Sequence, residues 1–285
     1  MTGLAKSLRQ VLEAGEAAVL VTVTGAQGST PREAGAAMLV TANDIAGTIG
    51  GGELEWRMIA KARDMITAGE KSAAIDLPLG PELGQCCGGR VALALQAGDD
   101  ETLSRLEATE AAEMENWPAV LIFGAGHVGR ALAVALSPLP LAVTVIDTRP
   151  DAVAGLPSNV YTINSALPEA QVRDAPGGSA FVIVTHSHGL DFTITEAALA
   201  RGDAAYVGMI GSRTKRVQFE RWFAGQGGDS GRLGQLVMPI GGKVKDKRPA
   251  VIAATVAAEL VGHLLGENAG EGKLDLPSRI AGARS

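Results

Sequence analysis

Cysteine is almost missing from this chain. There are two, Cys86 and Cys87, and they are adjacent. Neighbouring cysteines cannot staple a fold as a disulfide framework, and without C-x-x-C spacing or a second pair they do not read as a structural zinc site. Aromatic residues are scarce at 4%, too few for a base-stacking surface. Positive charge is also short: 25 Lys and Arg against 31 Asp and Glu leave a net charge of −6, so nothing pulls the chain as a whole toward nucleic acid or an anionic membrane. Long apolar runs are missing too. The longest, residues 131–146, is interrupted by Ser137, Pro138 and Pro140, so it is too short and too broken to span a bilayer. The first twenty residues read as a polar helix, not as a charged segment leading into a long apolar one. These absences predict a cytoplasmic protein that partners neither nucleic acid nor membrane.

What the chain does have is apolar content. Hydrophobic residues make up 46% of 285, enough for one large or two medium cores. The most organised stretch is residues 119–133, AVLIFGAGHVGRALA. Five apolar residues read as a buried strand, and Gly124, Gly126 and Gly129 complete a G-x-G-x-x-G before apolar residues resume at helical spacing. In such a unit the first glycine makes the turn, the second lets backbone approach a phosphate, and the third lets helix pack on strand. The helix-start amides, His127 among them, favour an anion. A second apolar run ends in Asp147, placed to accept from a ribose hydroxyl, with Arg149 beside it suited to a 2′-phosphate. The spacing predicts a Rossmann-like unit.

Before that unit the pattern differs. Residues 2–15 read as an amphipathic helix, and residues 17–24, 36–40 and 45–49 as strands separated by a loop containing Gly28 and Arg32. Gly50, Gly51 and Gly52 then precede a helix with Leu54, Met58, Ala62 and Met65 on one stripe and Gly69 at its end. The triple glycine is either an anion cradle or a plain tight turn; Glu53 and Glu55 suit the helix dipole but would repel a bound anion. Strands over 71–77 and 91–96 flank a loop carrying Cys86, Cys87, Gly88, Gly89 and Arg90. A cysteine there is either a small buried hydrophobe or a reachable thiolate, the latter favoured by the flanking glycines and the Arg90 charge.

Residues 97–118 are acidic and weakly apolar, and read as a solvated helix and linker. The expected division is therefore an N-terminal mixed α/β domain over 1–97, a linker over 98–118, a Rossmann-like doubly wound parallel-sheet domain over 119–266, and a loose tail over 267–285. In the second domain, strands over 159–163, 179–185, 205–210 and 237–240 alternate with helices. His186 and His188 follow the second of these strands, where a doubly wound sheet faces its ligand. They suit polar lining, proton transfer, metal binding or simple capping. Residues 193–196, TITE, fit a capping box opening the next helix. Gly211, Ser212, Arg213 and Lys215 form another strand-to-helix turn able to hold a phosphate or carboxylate. Pro249 suits the first turn of an apolar closing helix over 251–265.

Taken together, these motifs resemble the XdhC/CoxI family of xanthine dehydrogenase accessory proteins. The resemblance runs through nearly the whole chain, and its most specific parts are GQCCGG over 84–89 and FGAGHVGRAL over 123–132. The final block differs: where the family has a Thr-Pro-Glu-Glu-Ile helix start, this chain has residues 243–249 followed by Val251 and Ile252.

The resemblance implies an accessory factor rather than a turnover enzyme. It implies binding of the molybdenum cofactor (molybdopterin), help with its sulfuration by a cysteine desulfurase, and delivery to the molybdenum-binding subunit of xanthine dehydrogenase, with a homodimer as the expected assembly. Under it, Cys87 ranks above Cys86 for sulfur relay or molybdenum contact, His186 and His188 are candidates for proton transfer, and the glycine turns with Arg90, Arg213 and Lys215 would hold the cofactor. The competing readings are an NAD(P)-dependent oxidoreductase, supported by the fingerprint, and a nucleotide-sensing regulator.

Overall fold

The computed structural model describes residues 3–79, 88–242 and 244–266. Cys86, Cys87, Lys243 and residues 267–285 lie outside that set. The chain forms two compact units divided between Glu115 and Asn116.

The first unit is built on an antiparallel sheet. Strands β1 (Ala18–Gln27), β2 (Ala37–Thr41), β3 (Ile45–Gly47), β4 (Ser72–Pro78) and β5 (Arg90–Ala97) take the order β3-β2-β1-β5-β4. Alternation along β1 sends Val19, Val21 and Val23 to one face and Ala18 and Leu20 to the other. The first face receives helix α2 (Gly52–Ala68), whose Leu54, Met58, Ala62 and Met65 are buried as the stripe predicts, and Gly69 ends the helix in the left-handed region. The second face receives helix α1 (Leu4–Glu13) through Leu8.

The acidic stretch is helical as the sequence predicts, and the units divide at its end, within residues 98–118. It folds as helix α3 (Asp100–Glu115) and belongs to the first unit, where Leu103 and Leu106 pack with Leu8, Leu20 and Leu39. Glu110 accepts from the Ala5 amide at 3.0 Å, and Glu107 pairs with Arg9. The sequence shows the acids clearly, but the two leucines that fasten the helix are easily overlooked among them.

The second unit is doubly wound. Strands β6 (Ala119–Phe123), β7 (Ala142–Asp147), β8 (Tyr161–Asn164), β9 (Ala180–Ile183), β10 (Tyr206–Met209) and β11 (Leu236–Val237) are all parallel, in the order β11-β10-β9-β6-β7-β8. Counted from β6 this is the 3-2-1-4-5-6 arrangement, whose direction switches between β6 and β9. Helices α4 (His127–Leu136) and α8 (Pro249–Leu265) cover one face, and Leu132, Leu136, Val256 and Leu260 bury against Val120, Ile122 and Val182. Helices α5 (Pro168–Asp174), α6 (His188–Arg201) and α7 (Arg213–Gly225) cover the other, around Phe123, Phe181 and Phe219.

Helix α6 corrects one expectation. It begins at His188, not at residue 193, because Ser187 caps it by accepting from the Leu190 amide at 3.5 Å. Thr193 and Thr195 sit inside the helix and donate back to carbonyls one turn earlier, Thr195 to Asp191 at 2.6 Å.

Candidate functional site

The strand ends at the β6/β9 switch point form the candidate ligand crevice. The three fingerprint glycines there do three different things. Gly124 has φ of +111°, and a Cβ on it would lie 2.6 Å from the Val184 carbonyl oxygen, so the turn must pass close beside the end of β9. On Gly129 a Cβ would come within 1.9 Å of the Gly124 carbonyl oxygen, so only glycine lets α4 start this near its strand. Gly126 is the opposite case: a Cβ there meets nothing within 4 Å. Gly126 also caps α4 without a side chain. Among the described residues, the first helical amides, from His127 onward, therefore have neither an intrahelical partner nor a side-chain one. The neighbouring helices are served differently: Ser187 caps α6, and Ser212 caps α7 by accepting from the Lys215 amide at 3.3 Å.

Asp147 ends β7 with its carboxylate buried. One oxygen accepts from the Ala125 amide at 2.7 Å and from Arg149 Nη2 at 2.9 Å. The other accepts from the Arg149 amide at 2.9 Å and from its Nε at 3.0 Å. Burial works to raise the pKa of this group. The donors from the Arg149 side chain, Ala125 and the Arg149 backbone outweigh it and hold the pKa down at about 2. The acid read as a ribose acceptor thus ties the glycine turn to Arg149.

His186 and His188 stand exposed just past β9, as their position predicts. Asp191, the acid that follows them, does not stand with them. It is buried, accepting from Thr185 Oγ1 at 2.7 Å and from the Thr185 amide at 3.1 Å, and it pairs with Lys215. Among the described residues there is no cluster of three or more acids, histidines or cysteines arranged to hold a metal. Lys215 is buried as well and donates to the Ile210 carbonyl at 3.0 Å. Of the turn carrying Gly211, Ser212, Arg213 and Lys215, the lysine and serine therefore serve the fold, while Arg213 is exposed.

In the first unit the glycine motifs converge at one end of the sheet. A Cβ on Gly89 would meet the Ser29 carbonyl oxygen at 2.3 Å, Ser29 bridges Gly88, and a Cβ on Gly50 would meet the Pro31 side chain at 2.7 Å. Gly51 and Gly52 both have positive φ, and the cradle they open is filled from within. One Glu55 oxygen accepts from the Ile49 and Gly51 amides, each at 3.1 Å, and from Thr48 Oγ1 at 2.5 Å. Arg90 forms a two-pronged pair with Asp76 across β4 and β5, at 2.7 and 3.0 Å.

Three arrangements went unread in the sequence. They are the Glu55 plug, the Thr185–Asp191–Lys215 network, and Glu259, which accepts from the Tyr206 hydroxyl at 2.9 Å and the Gly241 amide at 3.0 Å. Glu55 gave the one usable signal, an acid three residues after a triple glycine.

No helix among the described residues is long and apolar enough to cross a membrane. Two families match the sequence: the XdhC Rossmann domain over residues 120–260, and the XdhC and CoxI family over residues 11–76. No curated protein matches. Among solved structures, one described as a xanthine dehydrogenase from Bacillus halodurans aligns with a TM-score of 0.69 at 18% identity, covering 92% of this chain and 96% of that one. That likeness bears on the fold alone. With its antiparallel first unit, its glycine-fingerprint second unit and a family match on each, the chain belongs to the XdhC family.

Proposed function

We propose that this protein serves the maturation of xanthine dehydrogenase: it binds the molybdenum cofactor, assists its sulfuration and passes it to the apo-enzyme. The observation that carries the reading is the open, uncapped glycine turn at Gly126 in a chain of this family. Molybdopterin ends in a phosphate, and the residues fit that end of it. The amides at the start of α4 offer donors, the helix dipole favours the anion, and the missing Cβ leaves room. When bound, the cofactor would supply the molybdenum centre, one of whose terminal ligands is exchanged for sulfur in sulfuration.

This chain's own residues bind and orient. Gly126, His127 and Gly129 hold the phosphate end, with Arg213 as an exposed cation among the crevice-facing turns. His186 and His188, exposed at the end of β9, can carry protons at their ring nitrogens. Cys87, and after it Cys86, are the thiols through which sulfur or molybdenum contact would pass; no other side chain in the sequence is a thiol. The partners in this reading are the molybdenum-binding subunit of xanthine dehydrogenase and a cysteine desulfurase, with the chain acting as a homodimer and not as a turnover enzyme.

The test is activation of apo-xanthine dehydrogenase by purified protein and supplied cofactor. Gly126→Val should fold and lose cofactor retention. Cys87→Ala should fold and lose most activation, with a smaller loss in Cys86→Ala. Full activation by the double alanine variant removes the thiols from the reading, and unchanged retention in Gly126→Val moves the cofactor off this turn.

A second reading, an NAD(P)-dependent oxidoreductase, draws support from the 3-2-1-4-5-6 strand order with the glycine turn of Gly124, Gly126 and Gly129 following β6. The ligand that co-purifies separates the two. A fluorescent pterin after oxidation supports the first, and a bound nicotinamide the second.

A further inference from the structure

The end of β7 is where a Rossmann crevice recognises the ribose of a nucleotide, and two arrangements are general. An acid accepts from the 2′-hydroxyl, or an arginine takes a 2′-phosphate. This chain carries both residue types two positions apart, and their geometry decides between them. A carboxylate has about four lone-pair sites. Those of Asp147 are taken by the Ala125 amide, the Arg149 amide, Arg149 Nε and Arg149 Nη2. Its side chain is 3% exposed, so a ribose diol finds neither a vacant lone pair nor access. The Arg149 side chain is 52% exposed. It is gripped through Nε and Nη2, and its Nη1 makes no hydrogen bond among the described residues. The guanidinium is thus held in one orientation with an edge outward.

The position is also right. Ala125, inside the glycine turn, and Arg149 donate to the same Asp147 oxygen, so the guanidinium stands directly beside the turn. A second guanidinium borders the same segment: Arg130, on α4, donates to the Ala152 carbonyl at 2.7 Å.

We propose that the crevice of the second unit binds a nucleotide carrying a phosphate monoester on its ribose, with Arg149 as the residue that selects that phosphate over a ribose diol. Asp147 does not contact the ligand; it orients Arg149. The inference stands apart from the cofactor reading. Such a nucleotide is a second ligand, competing with the cofactor phosphate for the Gly126 turn.

The test is calorimetric titration of the cofactor-free full chain, at one ionic strength, with adenosine 2′,5′-bisphosphate, adenosine 3′,5′-bisphosphate and adenosine 5′-monophosphate. The 2′,5′-bisphosphate should bind at least about tenfold tighter than the monophosphate, as a charge-assisted, two-pronged contact implies. It should also bind tighter than its 3′,5′ isomer, which carries the same charge. Arg149→Gln should bring the three ligands to within about twofold while leaving the monophosphate affinity in place, and Arg149→Lys should recover only part of the preference because the fork is lost. Both variants keep the residue-149 amide on Asp147. Arg149→Gln should lower the melting temperature because it removes two donors from a buried carboxylate, and a single cooperative transition together with the retained monophosphate affinity checks that the turn is intact. Equal affinities in the wild type, no nucleotide binding, or a preference that survives Arg149→Gln each overturn the proposal. None of these outcomes touches cofactor retention, which is read separately by pterin fluorescence.

Discussion

Lys215, from the first turn of α7, donates to the Asp191 carboxylate in the first turn of α6, and both are buried. Asp191 in turn holds the Thr185 amide just past β9. One ion pair therefore fixes the spacing of two adjacent strand-to-helix turns that face the crevice. The histidines on one turn and Arg213 on the other owe their placement to a pair that itself faces inward.

Breaking that pair from one side should be costly. Removing one partner of a buried, hydrogen-bonded pair strands the other charge and typically costs about 3–5 kcal/mol. Lys215→Met is expected to destabilise the second unit by that order in urea unfolding. Asp191→Asn with Lys215→Met should lose less than the sum of the single changes, because no charge is then stranded. Strict additivity would mean that the two side chains do not couple.

Asp147 sets a pH dependence. Its folded pKa of about 2 lies below the ordinary aspartate value near 4. The lowered value means that the folded state favours the ionised form. The stabilisation is fully present above pH ~4 and is lost as pH falls through ~2, a contribution of roughly 2 kcal/mol. Acid titration of stability should show this loss between those limits, and Asp147→Asn should flatten that part of the curve. An unchanged acid limb in the variant would assign the loss to other carboxylates.

The second unit was legible because its signals are local. A buried strand, a glycine fingerprint and an acid at the next strand end lie within about thirty residues, and each needs only its neighbours to act. What the sequence concealed involves partners far apart in the chain or mistaken for surface. Lys215 and Asp191 are 24 positions apart. A lysine in a basic helical turn reads as solvated, so nothing local marks it as buried. Helix α3 shows the same limit: its acids are plain along the chain, whereas its attachment to the first unit depends on Leu103 and Leu106 meeting α1 and the sheet. The capping box at 193–196 failed because Ser187, five residues upstream of Phe192, offered a cap at the true helix start.

Glu55 is expected to be a structural residue of the first unit. Its oxygen closes the Gly50–Gly52 turn onto α2 by accepting two amides and a hydroxyl. Hydrogen bonds to a charged group contribute about 1.5–3 kcal/mol each at most, and less where solvent competes. Glu55→Ala should lower stability by about 1–3 kcal/mol, with Glu55→Gln recovering part of the loss because its amide oxygen can still accept. Inorganic phosphate should stabilise Glu55→Ala more than the wild type, since the vacated amides suit an anion. Equal phosphate stabilisation of both proteins would show that the carboxylate does not fill the cradle.

The fingerprint glycines should separate binding from folding. Gly126 and Gly129 are three residues apart at the same helix start, yet a methyl group meets open space at one and the Gly124 carbonyl oxygen at 1.9 Å at the other. Gly126 has φ of −74°, which any residue can adopt. Gly126→Ala should therefore leave stability within about 0.5 kcal/mol of the wild type. Gly129→Ala gains up to about 1 kcal/mol of helix propensity. Against that, its methyl must push α4 away from the turn, a packing cost of about 1–3 kcal/mol or more. The net result should be a clear loss of stability. For anion binding the order reverses. A larger side chain at Gly126, as in Gly126→Val, occupies the space above the free amides and should weaken ligand phosphate binding by about tenfold or more, while the melting temperature stays near that of the wild type. The paired measurement is a melting curve and a ligand titration on each variant. Should Gly126→Val unfold the protein and Gly129→Ala leave it intact, the division of labour between the two glycines would be the reverse of the one drawn from the backbone.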